Sequence, residues 1–300
     1  MSRIWDTLQK IERSSGRSAF DARDTVYEGP ENGDEVLMPA EPVDPRLPDE
    51  EKTEDRFLDH RSLPIVRAKS VERIVGYTDP SSYGANRFRL LRVYLGNLWS
   101  DGTLRTLLVT SPVPQDGKTT VSLNLATTLS EHGAKKVLLV DADLHRRSVG
   151  EHLGLDAHSG LAECLLDGLD PRSAIRRIEP LGWYYLSAGK RELSNPTDLL
   201  RAPEISQLLR RLAGDFDWVL IDSPPVLPLT DSLTLAQTVD GVLLVARAGQ
   251  TPSKAVEDTI GLVGRKRILG MVLNGVEETD HPYSKYDNYY RPQKSDGKSG

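Results

Sequence analysis

Leu107 to Leu129 reads LLVTSPVPQDGKTTVSLNLATTL, a short apolar run, a loop and an amphipathic stretch. Leu107, Leu108 and Val109 suit a buried strand, and Val121, Leu125 and Leu129 recur every four residues, as one face of a helix requires. Between them lies Asp116-Gly117-Lys118-Thr119-Thr120. Gly117 lets the backbone turn closely around an anionic group, Lys118 has the reach for β- and γ-phosphates, and the Thr119 hydroxyl is placed to ligate Mg²⁺. The free N–H groups and dipole of the helix's first turn add to such an anion site. The full phosphate-loop pattern wants a glycine six residues before the lysine, where this chain has Pro112. A Gly-Lys-Thr tripeptide also opens ordinary helices with a solvated lysine. Its position between a strand and a helix favours the nucleotide site.

The whole chain has 300 residues, enough for one large α/β domain with appendages or for two small domains. With 38 Lys+Arg against 44 Asp+Glu, the formal charge of −6 gives no reason to expect nucleic acid as a partner. The single cysteine, Cys164, excludes an intramolecular disulfide and any Cys-x-x-Cys metal site. No run approaches the roughly 20 apolar residues that cross a bilayer, so a cytoplasmic chain is expected.

Residues 1–27 open with a short amphipathic helix in which Ile4, Trp5, Leu8 and Ile11 share a side. Its apolar stripe needs a cover, which the main domain, a protein partner or a membrane interface would each supply. Residues 28–80 read as a linker, largely disordered: Glu28 to Pro64 holds six prolines, many carboxylates and few apolar residues. The folded domain is expected over 81–276. It begins with a helix, Ala85 to Trp99, carrying Phe88, Leu91, Leu95 and Trp99 at helical spacing, with Arg87, Arg89 and Arg92 projecting from it.

Lys136 to Asp143, KVLLVDAD, is a continuous apolar strand ending in two acids, the form taken by strands buried on both faces. Trp218 to Pro225, WVLIDSPP, repeats it, and Gly241 to Ala246 and Ile268 to Asn274 do so without the acids. Helical segments near 203–213, 230–237 and 252–265 separate these strands. Alternating strands and helices imply an α/β fold with a mainly parallel central sheet and helices on both faces. Ligands bind such sheets at the carboxyl ends of the strands. That rule gathers Gly117, Lys118, Thr119, Asp141, Asp143, Asp222 and Asn274 at one edge. Three acids beside Lys118 and Thr119 suit phosphoryl transfer, which needs Mg²⁺, charge neutralisation and a carboxylate to orient or deprotonate the nucleophile. Residues 277–300 form a flexible tail with Tyr283, Tyr286, Tyr289 and Tyr290 and almost no aliphatic residues. Its rings either dock on the domain surface or serve as exposed phosphate acceptors.

Together these residues resemble the bacterial tyrosine kinases of capsule and exopolysaccharide synthesis, built on the P-loop fold of MinD and ParA ATPases. The resemblance runs from about Ser81 to Arg291. Gly117-Lys118-Thr119 matches the family's phosphate loop, Val140-Asp141-Ala142-Asp143-Leu144 its second motif, and Asp222-Ser223-Pro224-Pro225 its third. Asn195 to Leu200 and Asp240 to Val245 also look like family segments. The resemblance implies a three-layer P-loop NTPase sandwich that binds ATP and Mg²⁺. It implies that the loop from Gln115 through Asp116, Gly117, Lys118, Thr119 and Thr120 holds the phosphates. Thr119, Asp141 and Asp222 would hold Mg²⁺, Asp141 and Asp143 would assist metal binding and tyrosine deprotonation, and Asn274 would contact adenine. It further implies transfer to Tyr283, Tyr286, Tyr289 and Tyr290 of a neighbouring subunit in a homo-oligomeric ring. The expected partners are a transmembrane polysaccharide chain-length regulator, which activates the kinase and recruits it to the inner face of the plasma membrane, and a tyrosine phosphatase.

Several positions depart from that pattern. Gln115 stands where most relatives have glycine, which would strain the turn if it needs positive φ. His145 and Arg147 interrupt the usual run after the second motif, and Asn86 replaces an acid on the helix bearing Arg89 and Arg92. Two other functions share the fold: a catalytically weak nucleotide-binding scaffold of the polysaccharide machinery, which Gln115 motivates, and a MinD/ParA-type ATPase switch. The switch proteins carry a second lysine where this chain has Val113.

Overall fold

The computed structural model describes residues 60–100, 104–201 and 203–276. The N-terminal helix expected in 1–27 and the tyrosines of 277–300 lie outside them. The strands are β1 (Ile65–Arg67), β2 (Thr106–Thr110), β3 (Val137–Asp141), β4 (Arg176–Glu179), β5 (Trp183–Leu186), β6 (Trp218–Asp222), β7 (Gly241–Arg247) and β8 (Ile268–Asn274). They form one sheet in the order β1-β4-β5-β3-β6-β2-β7-β8. All neighbours are parallel except β4 and β5.

The helices are α1 (Val75–Thr78), α2 (Tyr83–Ser100), α3 (Lys118–Ser130), α4 (Ser148–Leu153), α5 (Leu161–Leu166), α6 (Pro171–Ala174), α7 (Pro196–Arg201), α8 (Pro203–Asp215), α9 (Asp231–Thr238) and α10 (Ser253–Val263). Alternation along the strands splits the core between the two faces of the sheet. Leu108, Leu138, Val140, Val219 and Ile221 pack on one side with Ile205, Leu209 and Leu212 of α8 and Leu235 of α9. Leu107, Val109, Val137, Leu139 and Leu220 pack on the other with α2, α3 and α4 through Leu95, Leu125 and Val149. This explains the unbroken apolar strand sequences: each residue, odd or even, meets a helix layer.

α3 is more deeply buried than a single apolar stripe requires. Beside Val121, Leu125 and Leu129, it buries Ser122, Leu123, Asn124 and Ala126. The reason is its place between the sheet and the segment 73–75. Asn124 bridges the two, accepting from the Val75 N–H at 2.8 Å and donating to the Arg73 carbonyl at 2.8 Å.

The boundary expected at residue 81 moves towards the N-terminus. β1 extends the sheet beside β4, Leu63 is buried, and Ile74 is 1% exposed within the α2–α3 side of the core. The signal was weak because β1 has three residues and lies at an edge, with Ile65 58% exposed. β4 and β5 were also missed as strands. Trp183-Tyr184-Tyr185-Leu186 is short, yet all four residues are buried. Trp183 donates its indole N–H to Thr127 of α3 at 3.0 Å.

Ile74 separates a spacer from a core element. Ile74→Ala should cost about 2–5 kcal/mol, the range for truncating a fully buried aliphatic chain. Urea denaturation of the two proteins, with equal slopes, measures it; a loss within about 0.5 kcal/mol, as at an exposed site, would mean the segment is not part of the core.

Candidate active site

The carboxyl ends of β2, β3, β6, β7 and β8 meet at one edge. There the loop after β2 bends into α3 with Gly117 at φ +91°. A Cβ at Gly117 would sit 2.0 Å from the Asn274 side-chain nitrogen, so glycine is required both by the turn and by space. Asn274, the last residue of β8, donates its side-chain amide to the Asp116 carbonyl at 3.0 Å. Expected on adenine, Asn274 here braces the loop.

Gln115 also lies in the left-handed region, at φ +69°. For a residue with a Cβ that conformation costs about 1–2 kcal/mol, which glycine would avoid. Several bonds hold the loop in spite of it. Asp116 accepts from the Val113 N–H at 3.2 Å and from the Thr251 hydroxyl at 2.6 Å, and Arg247 donates to the Gln115 carbonyl at 3.4 Å. Asp116 is 2% exposed and burial raises its pKa. Its carboxylate serves the loop's own shape.

The helix that follows has no side-chain cap. Its first-turn N–H groups have no acceptor within the helix, which is the condition for holding phosphate oxygens. Thr120, half-buried in that turn, accepts Asn124 on its carbonyl.

Behind the loop, Lys118 Nζ lies 3.1 Å from Asp143 Oδ2, with 12% of the lysine side chain and 1% of the aspartate's exposed. Thr119 Oγ1 donates to Asp222 Oδ2 at 2.8 Å and lies 3.1 Å from Ser148 Oγ. Ser122 Oγ donates to the other Asp222 oxygen, also at 2.8 Å. Asp141 accepts the Asp143 and Val149 N–H groups, each at 3.2 Å. Tyr185 OH lies 3.5 Å from Asp141 Oδ2. The structure therefore brings together Lys118, Thr119, Asp141, Asp143 and Asp222.

It adds Ser122, Ser148 and Tyr185 to that group. Ser122 was legible, being three residues after Thr119 and so on the same helix face. Ser148 and Tyr185 follow from the approach of α4 and β5, for which no local pattern speaks. Elsewhere, a cavity of about 480 Å³ between α5 and α8, lined by Cys164, Leu169, Leu208 and Arg211, contains none of these groups. Cys164 there has its thiol pushed up to about 12 by burial, which fits a packing residue.

Asp141 and Asp222 are register partners across the β3–β6 ladder, on strands about 4.8 Å apart. Both are fully buried. Burial, followed by the charges of Asp222 and Asp143, raises the pKa of Asp141 well above its ordinary value. Burial also raises Asp222, against the opposing pull of Lys118 and the Thr119 and Ser122 hydroxyls. One ammonium thus faces three carboxylates. That surplus of buried negative charge, with a hydroxyl beside it, fits a hard divalent cation. Mg²⁺ is held by one or two protein oxygens and completed by water and phosphate, so it needs no cage of protein ligands. No group of three His, Cys, Asp or Glu residues among those described forms such a cage.

The chain matches the AAA domain family over residues 116–264. It is 29% identical over 251 residues to the tyrosine-protein kinase ptk of Acinetobacter johnsonii, covering 83% of this chain and 33% of that one. To the succinoglycan biosynthesis transport protein ExoP of Rhizobium meliloti it is 28% identical over 228 residues, 69% of this chain and 28% of that one. The solved BceF tyrosine kinase domain is 32% identical, with a TM-score of 0.61 over 75% of this chain and 90% of that chain. The chain spans about a third of the length of these two curated relatives. Sheet order, phosphate loop and acidic strand ends define a P-loop nucleotide-binding domain. Within that class the chain belongs to the bacterial tyrosine kinases of capsule and exopolysaccharide synthesis.

The raised carboxylates set the sign of a pH effect. In the fold they favour the protonated form, so their contribution is most favourable at low pH and is lost as pH rises from about 3.8 through the raised values. Asp141→Asn should therefore raise the nucleotide-free melting temperature near neutral pH and flatten its decline above pH 4. Thermal melts across pH 4–8 decide it; a variant that is less stable than wild type at pH 7 would overturn the charge-surplus account. Gln115→Gly should add about 1 kcal/mol by relieving the positive φ, read from the same melts.

Proposed function

We propose that the chain is an ATP-dependent protein-tyrosine autokinase that transfers the γ-phosphoryl group to the tail tyrosines Tyr283, Tyr286, Tyr289 and Tyr290 of a neighbouring subunit. The observation that carries this is the Lys118–Asp143 pair, set beside Thr119 and Asp222 at the uncapped start of α3. On nucleotide binding, Lys118 leaves Asp143 for the phosphate oxygens. Asp143 Oδ2, relieved of its partner, then stands free to accept a proton. The phenolic oxygen of the acceptor attacks the γ-phosphorus, its proton passes to Asp143, and the bond to the leaving ADP oxygen breaks.

Thr119, Asp222 and Asp141 would hold Mg²⁺, which when bound supplies charge neutralisation of the phosphates. Ser122 keeps Asp222 oriented, and the Asp143 and Val149 N–H groups keep Asp141 in place. The N–H groups of Gly117 to Thr120 cradle the phosphates, and Asn274 contacts adenine if the nucleotide draws its amide from the Asp116 carbonyl.

In this reading the kinase serves exopolysaccharide or capsule synthesis and export, with a transmembrane chain-length regulator as activator and membrane anchor and a tyrosine phosphatase to reset it. Among the described residues no helix is long and apolar enough to cross a membrane. A ring of subunits through α2 is supported by its outward Leu90 and Val93, 59% and 57% exposed. Arg89 on that helix is held within the chain by Asn86 and the Pro80 carbonyl, each at 2.6 Å, so the contact rests more on apolar surface than on arginine pairing.

Intact-mass measurement after incubation with Mg·ATP and the regulator's cytoplasmic segment, with site mapping, tests the assignment. Several phosphates are expected on the tail, and Lys118→Met should remove them all, as should Phe at the four tail positions for most of them. Phosphate chiefly on the buried Tyr184 or Tyr185 would contradict it. ATP binding without transfer would favour the scaffold that Gln115 motivates, and ADP release without phosphotyrosine an ATPase switch.

A further inference from the structure

The loops after β3 and β5 lie side by side at the catalytic edge and carry cations that the transfer chemistry leaves unused. Arg147 donates its guanidinium to the Arg191 carbonyl, which ties the two loops together. Arg147 sits in the left-handed region at φ +53°, immediately before Ser148 at the start of α4. The second loop is fixed from below. Glu163, 7% exposed, accepts the N–H groups of Gly160 at 2.8 Å, Lys190 at 3.1 Å and Arg191 at 3.0 Å. Gly189 has no Cβ because one would come within 2.4 Å of that carboxylate. The backbone of both loops is thus rigid.

Two exposed cations of this frame have no ion-pair partner among the described residues. Arg146, whose own N–H donates to Asp143 at 3.1 Å, is exposed. So is Lys190. Arg191 is engaged by Asp167, and His145 by Asp231 at 2.9 Å. Among the described residues no carboxylate pairs with Arg146 or Lys190, and Glu192 is the exposed acid on the same turn. Exposed cations on the two tied loops, one of which carries Asp143 itself, will attract an anion that arrives with the acceptor.

The tail supplies one for every acceptor. Asp280 lies three residues before Tyr283, and Asp287 lies one, two and three residues from Tyr286, Tyr289 and Tyr290. In an extended chain that spacing is about 3–10 Å, within the reach of an arginine or lysine beside the seated ring. We propose that Arg146 and Lys190 form an acceptor subsite that holds an anionic side chain placed within three residues of the tyrosine. Both a carboxylate and a phosphate already installed on a neighbouring tyrosine present that chemistry, the phosphate with about −1.5 to −2 charge. The subsite rests on the reading of the tail as acceptor. It adds a consequence, that the first phosphate makes the next tyrosine a better acceptor.

Binding tests this without requiring transfer. Fluorescent peptides of residues 279–292 are titrated with the full chain in Mg·ADP in three forms: unmodified, with Asp280→Asn and Asp287→Asn, and phosphorylated on Tyr286. The expected order is phosphorylated tightest and neutralised weakest, with the difference shrinking as salt rises. Arg146→Gln and Lys190→Gln should each weaken the two anionic peptides about three- to five-fold and leave the neutralised one unchanged. Lys190→Glu should reverse the preference towards a peptide carrying Asp287→Lys, a result that misfolding cannot produce. Equal affinity for all three peptides, equal loss across them in the variants, or no binding of any peptide at millimolar protein would overturn the subsite. Absence of phosphate from the tail in the mass measurement bears instead on the acceptor reading, so the two failures are separable.

Discussion

Everything at the catalytic edge depends on one electrostatic imbalance: three carboxylates gathered around a single ammonium in a buried place. The sheet creates it. Parallel pairing of β3 and β6 puts Asp141 and Asp222 in register at the ends of strands whose other residues are all buried, so neither acid can withdraw into water. Hydrogen bonds make the arrangement tolerable. Two hydroxyls serve Asp222 and two backbone N–H groups serve Asp141, and these bonds favour the charged forms that burial opposes. The imbalance that remains is a store of affinity for a cation, and its cost is borne by the rest of the core.

The same reasoning separates what was legible in the sequence from what was not. Acids that terminate continuous apolar runs announce both a doubly covered strand and its ligand-facing end, so Asp141, Asp143 and Asp222 were found together. Lys118 and Thr119 came with them because a strand, a tight turn and a helix leave their side chains nowhere else to go. β1, β4 and β5 were not legible, since three or four residues set no period. β1 in particular lies beyond a stretch whose prolines and acids argue for a spacer, and only pairing with β4 makes it a strand. Tyr185 shows the same limit at the site: its contact with Asp141 exists because β5 pairs with β3, a relation between segments more than forty residues apart. Asn274 was placed at the right edge, but only the missing Cβ of Gly117 reveals that its amide lies against the loop.

Two residues with side chains occupy left-handed backbone at this edge, Gln115 in the phosphate loop and Arg147 before α4. Each is held by bonds from another element: Arg247 to the Gln115 carbonyl, and Arg147's own guanidinium to the loop after β5. Strain of this kind persists only where the surroundings over-determine it. At Gln115 the bracing comes from β7 and β8, through Arg247 and Asn274, and at Arg147 from β5. The phosphate loop is therefore clamped from the β8 side of the sheet and the loop after β3 from the β5 side, with Lys118 between them.

That division assigns separate tasks to the two halves of the sheet. The β2, β7 and β8 side fixes the backbone of the phosphate loop, with Asp116 and Thr251 satisfied within the protein and Asn274 donating to the Asp116 carbonyl. The β3 and β5 side carries the carboxylate of Asp143, paired here with Lys118, and the exposed cations Arg146 and Lys190. In the proposed reading a nucleotide binding to the first half would change the charge seen by the second, because Lys118 can satisfy either Asp143 or a phosphate but not both at full strength. Coupling between the proposed donor and acceptor sites would thus need no movement of the sheet. It follows from a single ammonium shared between two anions, about 3 Å from the one it holds at rest.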